Sequence, residues 1–268
     1  GTFTRDTSTL VMAKSGTQTI NIIGGTFVNN LTINDGSTTQ LHTINDAGST
    51  INVAGNLIVN EKIKSHASSA SNKVTLWTAH TITIGSDVKT TALADMHQIK
   101  INNSSGTMSI PECTMKTCVI ANSGGTTQAT GDLTFTSELE VNSGTTFNAN
   151  TNTIAAKVVD VNAGTLDLRN STLNFSVTAS GDQFALDSSS TLLTGNTNIN
   201  GNSSASKTNF YAPADGGYEV VGTVKQMDIQ TGGDLTVIGA VINCRLTDST
   251  ANIRQFFHTL DTQQLLDA

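Results

Sequence analysis

The sequence predicts an all-β chain wound as a right-handed parallel β-helix, a β-solenoid with coils of roughly 20 residues over positions 1–250, closed by a short helical segment over 251–268. Three observations predict it: a corner motif that returns at a fixed interval, apolar and polar residues that alternate with the period of a strand, and a composition that suits strands and tight turns.

The corner motif comes first. Val141-Asn142-Ser143-Gly144-Thr145 returns as Val161-Asn162-Ala163-Gly164-Thr165, and Asn150 returns as Asn170. Looser copies read Ile33-Asn34-Asp35-Gly36-Ser37, Ile101-Asn102-Asn103 and Ala121-Asn122-Ser123-Gly124-Gly125-Thr126. Asn and Gly tolerate the left-handed backbone that a sharp corner demands. One corner per coil would stack Asn102, Asn122, Asn142 and Asn162 into a ladder whose amides satisfy one another. An antiparallel sandwich could use strands equally short, but it has no reason to repeat its corner chemistry at a fixed interval.

Between corners the pattern alternates. Leu31 and Ile33, Ile51 and Val53, Leu57 and Val59, Leu139 and Val141, and Val159 and Val161 are spaced by two, with Thr, Asn, Glu or Asp mostly between them. One face of each strand is therefore expected to be buried and the other solvated. Three stretches break the rhythm: 62–73, 86–97 and 201–217. The first two read as outward loops or a short helical turn. From 251 onward Ile253, Phe256, Phe257, Leu260 and Leu265 fall near helical spacing, which predicts a segment that caps the last coil or packs against copies of itself.

Composition sets the exclusions. Charged residues make up 13%, aromatics 4%, and there are only 2 prolines, a profile unlike that of disordered chains or helical bundles. A net charge of −7 without a Lys/Arg stripe argues against a nucleic-acid partner. No apolar run approaches the roughly 20 residues that a spanning helix needs, so no membrane insertion is expected. Cys113 and Cys118 lie near enough in sequence to close a small loop in an oxidising compartment, or they are buried thiols; Cys244 would stand alone either way. No metal-ligand spacing and no cofactor loop is present, so neither a metal nor a cofactor is expected.

Catalysis has candidates but also a plainer explanation. Asp132, Glu138, Glu140, Asp160 and Asp167 occupy outward strand positions, where acidic residues ordinarily belong. Glu140 and Asp160 would stack on adjacent coils about 5 Å apart, near the separation of a retaining glycosidase pair. The five histidines share no motif, and no enzyme is predicted. Trp77, the only tryptophan, sits in an alternating strand, where it is core if it faces inward and a sugar platform if it faces outward. Tyr211 and Tyr218, the only tyrosines, gather at the 201–217 break and join Trp77 as candidate carbohydrate contacts. Thr-x-Thr pairs such as Thr134/Thr136 do not keep one 20-residue rung, which argues against a flat ice-binding face.

The opening Gly1-Thr2-Phe3-Thr4, then Gly16-Thr17-Gln18-Thr19-Ile20 and Gly25-Thr26-Phe27-Val28-Asn29-Asn30-Leu31-Thr32-Ile33-Asn34, resembles the β-solenoid repeats of phage fibre and spike proteins and of bacterial adhesin-like surface proteins. The resemblance covers about half the chain and is clearest before residue 60 and between 130 and 178, a match of composition and rhythm. It implies a non-enzymatic structural and host-recognition module of a virion appendage, exposed on the virion surface or outside a cell. The implied partners are two further copies in a trimer, other virion or surface proteins, and a host surface glycan. A bacterial adhesin or filament and a polysaccharide-cleaving β-helix enzyme are the alternatives.

Overall fold

The structure is a computed structural model. It describes residues 9–13, 15–22, 26–34, 37–43, 50–65, 75–78, 81–177, 181–186, 190–193, 197–203, 208–211, 219–221, 224–230, 235–238, 244–246 and 253–256. Every strand pair among these residues is parallel, and strands stack coil upon coil as a β-solenoid. The largest sheet holds 13 strands. Its main path runs through Thr26–Val28, Thr50–Val53, Thr75–Thr78, Gln98–Ile101, Cys113–Ile120, Leu133–Val141, Thr153–Val161, Thr172–Val177, Thr197–Ser203, Val224–Gln230 and Cys244–Leu246. We call it the long sheet.

The rest of each coil differs along the chain. Up to Ile84 a coil adds one strand to a four-stranded sheet (Thr9–Met12, Asn30–Ile33, Asn56–Val59, Thr81–Ile84). It adds another to a three-stranded sheet (Gly16–Ile22, Ser37–Thr43, Lys62–Ser65). From Thr107 a six-stranded sheet takes over (Thr107–Ile110, Thr126–Ala129, Thr146–Asn148, Thr165–Asp167, Thr191–Leu193, Glu219–Val221). There the long-sheet strands lengthen, and register shifts between Met115 and Thr117 and between Phe135 and Glu138. The two halves of Thr153–Val161 then pair with two separate strands, Thr172–Val177 and Gly181–Leu186.

Alternation drives this arrangement. In Leu133–Val141 the side chains of Leu133, Phe135, Leu139 and Val141 are buried, while Thr134 and Thr136 are exposed. The inner positions of successive coils meet in one continuous apolar core running from Val28 to Leu192. Such a core removes apolar surface from water at every rung, each coil covering the one before it.

The 86–97 stretch holds the short helical turn that was one of its two expected forms, but the rest of it turns inward instead of looping out. Ser86–Val88 is a single 3-10 turn, but Ala92, Leu93 and Met96 are fully buried. The Ile63 amide donates to the Ala92 carbonyl at 2.9 Å, and the Thr114 amide to the Lys89 carbonyl at 2.9 Å. Leu93 also bridges Met115 in parallel. The segment therefore fills the rung between Lys62–Ser65 and the first half of Cys113–Ile120. Backbone donors and acceptors facing it from both sides need partners, and irregular chain supplies them while turning three apolar side chains inward.

The C-terminal expectation is corrected in part as well. Ile253–Phe256, placed in a helix by its apolar spacing, is a strand paired with Leu235–Ile238. A four-residue run beginning with Ile and ending with Phe fits either period, and an open strand edge beside it decides in favour of extended chain. Positions 257–268 lie outside the described residues. Cys113 and Cys118 are free thiols in the core. Burial, with Glu112 nearby, pushes Cys113 up to about 12, and burial with Cys113 nearby raises Cys118 further.

Candidate functional site

The corner asparagines fall in two lines, and Asn102, Asn122, Asn142 and Asn162 do not stack as one ladder. The Asn142 amide donates to the Ile120 carbonyl and the Asn162 amide to the Val141 carbonyl, each at 2.9 Å, so Asn142 and Asn162 hold one position on adjacent coils. Ala121, whose amide donates to Ile101, occupies that position two coils before Asn162, and Asn102 follows Ile101 on the coil before that. Asn122 sits one residue further round the corner, and its partner is Asn103. The Asn103 amide donates to Asn122 Oδ1 at 3.0 Å, and both side chains are buried.

Each of these two amides also closes its own corner, Asn103 Nδ2 on the Gly106 carbonyl and Asn122 Nδ2 on the Gly125 carbonyl, both at 3.0 Å. A side chain on Gly125 would collide with Asn103, since an added Cβ would lie 2.2 Å from its Nδ2. In later coils hydroxyls take over. Thr145 Oγ1 donates to the Asn142 carbonyl at 2.6 Å, and Ser190 Oγ donates to the Val161 carbonyl while accepting from the Ala163 amide at 2.9 Å. Asn150 and Asn170 both adopt a left-handed backbone, with φ 50° and 57°.

The carboxylates separate by their partners. Asp132 Oδ1 accepts from the Thr153 amide at 2.8 Å and so pins the start of a strand. Asp167 is almost fully buried and is gripped by Arg169, Nε to Oδ1 at 2.9 Å and Nη2 to Oδ2 at 2.6 Å. Glu140 and Asp160 are direct register partners, and Asn162 Nδ2 reaches both, 3.4 Å from Glu140 Oε1 and 3.3 Å from Asp160 Oδ2. A donor shared in this way treats the two groups alike, whereas a glycosidase pair needs an acid and a nucleophile in unlike surroundings.

Register also joins residues that the sequence leaves scattered. Trp77 pairs with Lys100, Lys100 with Val119, Val119 with Glu140, and Glu140 with Asp160. The line continues from Asp160 to Ala185 and from Ala185 to Tyr211. Lys100, Glu140 and Asp160 are flanked along their strands by buried core residues, which places them on the outer surface of the long sheet. Tyr218 lies outside the described residues.

These outward positions are recessed. Lys100, Glu140 and Asp160 are half-buried, and Val119 is only 3% exposed although it stands outside the core cluster. The six-stranded sheet presents a different line, Thr107, Thr126, Thr146, Thr165 and Thr191 in successive register. Elsewhere, an open cleft of about 640 Å³ lies at the corner after the four-stranded sheet and is lined by Asn34, Asn60, Glu61, Ser86 and Asp87 among others. It shares no residue with the long-sheet line. Among the described residues no three His, Cys, Asp or Glu side chains are grouped to hold a metal ion.

The sequence missed the line because its members fall at unequal intervals: 23 residues separate Trp77 from Lys100, 19 separate Lys100 from Val119, and 26 separate Ala185 from Tyr211. The alternation within each strand was the available signal, but it needed the pairing to join one strand to the next. No family model, curated protein or solved structure matches the chain.

Proposed function

We propose that this chain is a non-enzymatic structural and surface-recognition module of a phage virion appendage, a tail fibre or spike, displayed on the virion surface or outside a cell. The observation that carries the reading is the uninterrupted parallel stacking of the long sheet from Thr26–Val28 to Cys244–Leu246. Eleven strands on that path give ten steps, about 48 Å of stacked chain at ~4.8 Å per step. A solenoid of this kind suits a protein that spans distance and presents repeated outward positions, as concave or flat faces of repeat proteins do. The resemblance to fibre, spike and adhesin repeats supports the same role. The coils are taken to wind right-handedly, as parallel crossovers do in nearly all folds. The segment from 251 onward, beyond its strand at Ile253–Phe256, serves as the cap or the contact between copies in a homotrimer.

The test is binding and mass together. Fluorescently labelled chain is expected to bind whole cells of some members of a panel of bacteria, to be displaced by unlabelled chain, and to scatter light as three copies. A monomer that binds none of the panel would defeat the reading.

A second reading, polysaccharide cleavage, draws on the register pairing of Glu140 with Asp160. Reducing-end assays on a glycan panel decide it: release of new ends by the wild type and its loss in Glu140→Gln would establish an enzyme.

A further inference from the structure

We infer that residues 86–97 form a strap over the Cys113 thiol, fastened by two ion pairs, which opens without unfolding the coils on either side and lets a small alkylating reagent reach Cys113 while Cys118 stays covered.

The strap stands where a strand would stand. It lies between Lys62–Ser65 and the first half of Cys113–Ile120. On one side the Ile63 and Ser65 amides donate to the Ala92 and Asp95 carbonyls at 2.9 and 3.2 Å, and the His97 amide donates to Ser65 Oγ at 2.9 Å. On the other the Thr114 amide donates to the Lys89 carbonyl, and Leu93 bridges Met115. Leu133–Val141, by contrast, pairs along nearly its whole length with a strand on each side. Segments held by fewer backbone hydrogen bonds open at lower free energy than the strands around them.

Two ion pairs complete the fastening, one to each neighbouring coil. Lys62 Nζ meets Asp95 Oδ2, and Lys89 Nζ meets Glu112 Oε2 at 2.6 Å. All four side chains reach solvent, so salt weakens both ties. Ala92, Leu93 and Met96, turned into the core, keep the closed form dominant.

Lys89 singles out the thiol beneath. Its side chain binds Glu112 and its carbonyl binds the Thr114 amide, the residues on either side of Cys113. Cys118 lies instead between Ile99 and Leu139, with a paired strand on each side. Lifting the strap therefore uncovers Cys113 and leaves Cys118 buried. Burial keeps the closed Cys113 thiol protonated, pushed up to about 12, and a thiol attacks only as its thiolate, so the closed form is inert.

Alkylation by iodoacetamide reads the opening: sulfur bonds to carbon, iodide leaves and the thiol proton passes to water. Two single-thiol proteins would be compared by intact mass, Cys118→Ala with Cys244→Ala and Cys113→Ala with Cys244→Ala, their urea midpoints confirming that both fold. Without urea, Cys113 is expected to react at least about tenfold faster than Cys118. Low urea should leave the Cys113 rate nearly unchanged and raise that of Cys118, because opening the strap exposes far less surface than unfolding does. About 1 M NaCl and Asp95→Asn should each speed Cys113 about threefold and move Cys118 less than about twofold. The reagent is uncharged, and Asp95 is tied to the coil away from the thiol, so both changes act through the strap. Equal rates for the two thiols with the same urea dependence, or a Cys113 rate indifferent to salt and to Asp95→Asn, overturn the strap.

Discussion

The coils before Ile84 and those from Thr107 to Leu193 solve one problem in two ways. Both bury an apolar interior rung by rung, but the early coils spread it over three sheets and line it with aliphatic side chains such as Leu31, Ile33, Ile51, Leu57 and Ile63. The later coils use two sheets, and Phe135, Phe147 and Phe184 are fully buried there. Corner side chains link coils in both regions, with hydroxyls joining the asparagines in the later one. Asn103, Asn122, Thr145 and Ser190 pass hydrogen bonds from coil to coil in the later region. Around Gly55 in the early region the Asn56 amide relies on Asn30 Oδ1 at 2.8 Å. A coil of nearly constant length can reuse one corner; coils of changing length need a new arrangement each time.

The comparison is broken most forcefully through the aromatic interior. Phe147→Ala removes a fully buried ring from the middle of the six-stranded sheet, between Thr127 and Leu166. The expected loss is about 3–5 kcal/mol, read as a fall in the urea midpoint. Ile33→Val, one methylene removed from the early core, should cost only about 1 kcal/mol. A loss below about 2 kcal/mol for Phe147→Ala would mean that the later coils collapse around the missing ring.

Corner asparagines come next. Asn122→Ala leaves the Asn103 amide and the Gly125 carbonyl without their partner in a buried place, which predicts a loss of about 2 kcal/mol. Asn142→Ala, at a half-buried position on the other line, should cost less than half as much by the same measurement. The reverse order would show that the line shared by Asn142 and Asn162 is the stabilising one.

The thiols separate the regions by pH. Cys113 and Cys118 belong to the later coils, and both are raised by burial. The unfolded thiols ionise near pH 8.5 while the folded ones stay protonated, so above that pH the folded state binds more protons and stability falls as pH rises. The window runs from about 8.5 upward, to about 12 for Cys113. The slope is at most about 1.4 kcal/mol per pH unit for each thiol. Replacing both by Ala lowers stability at neutral pH but should flatten this alkaline decline, measured as the urea midpoint at pH 8 and pH 10. An unchanged slope would mean that the thiols ionise in the folded protein as they do in water.

What could be read in advance follows the same division. Parallel stacking, the pairing of Glu140 with Asp160 and the left-handed Asn150 and Asn170 were legible because the coils between Cys113 and Val161 keep nearly one length. Even there the corners slip: Val141 pairs with Val161, but it is Thr146, not Thr145, that pairs with Thr165. A residue gained in a corner is absorbed without disturbing the strands, so similar corner sequences need not occupy the same position. The same tolerance hid the inward turn at Ala92, Leu93 and Met96 and the line from Trp77 to Tyr211, since hydrogen-bonded strands fix register while connections vary freely.

The smallest effect tests whether the early coils carry an uncorrected flaw. Thr39 is fully buried in the three-stranded sheet, between Gln18 and Ile63, and its Oγ1 has no hydrogen-bond partner. A hydroxyl held away from water without a partner costs free energy that a methyl of nearly the same size does not. Thr39→Val is therefore expected to stabilise the protein by about 1 kcal/mol, seen as a higher urea midpoint with an unchanged slope. Thr145→Val, in the later region, should move the other way, because its hydroxyl donates to the Asn142 carbonyl. The opposite signs expected of one chemical change express the difference between the two sites: the Thr145 hydroxyl has a carbonyl within reach, and the Thr39 hydroxyl is left over.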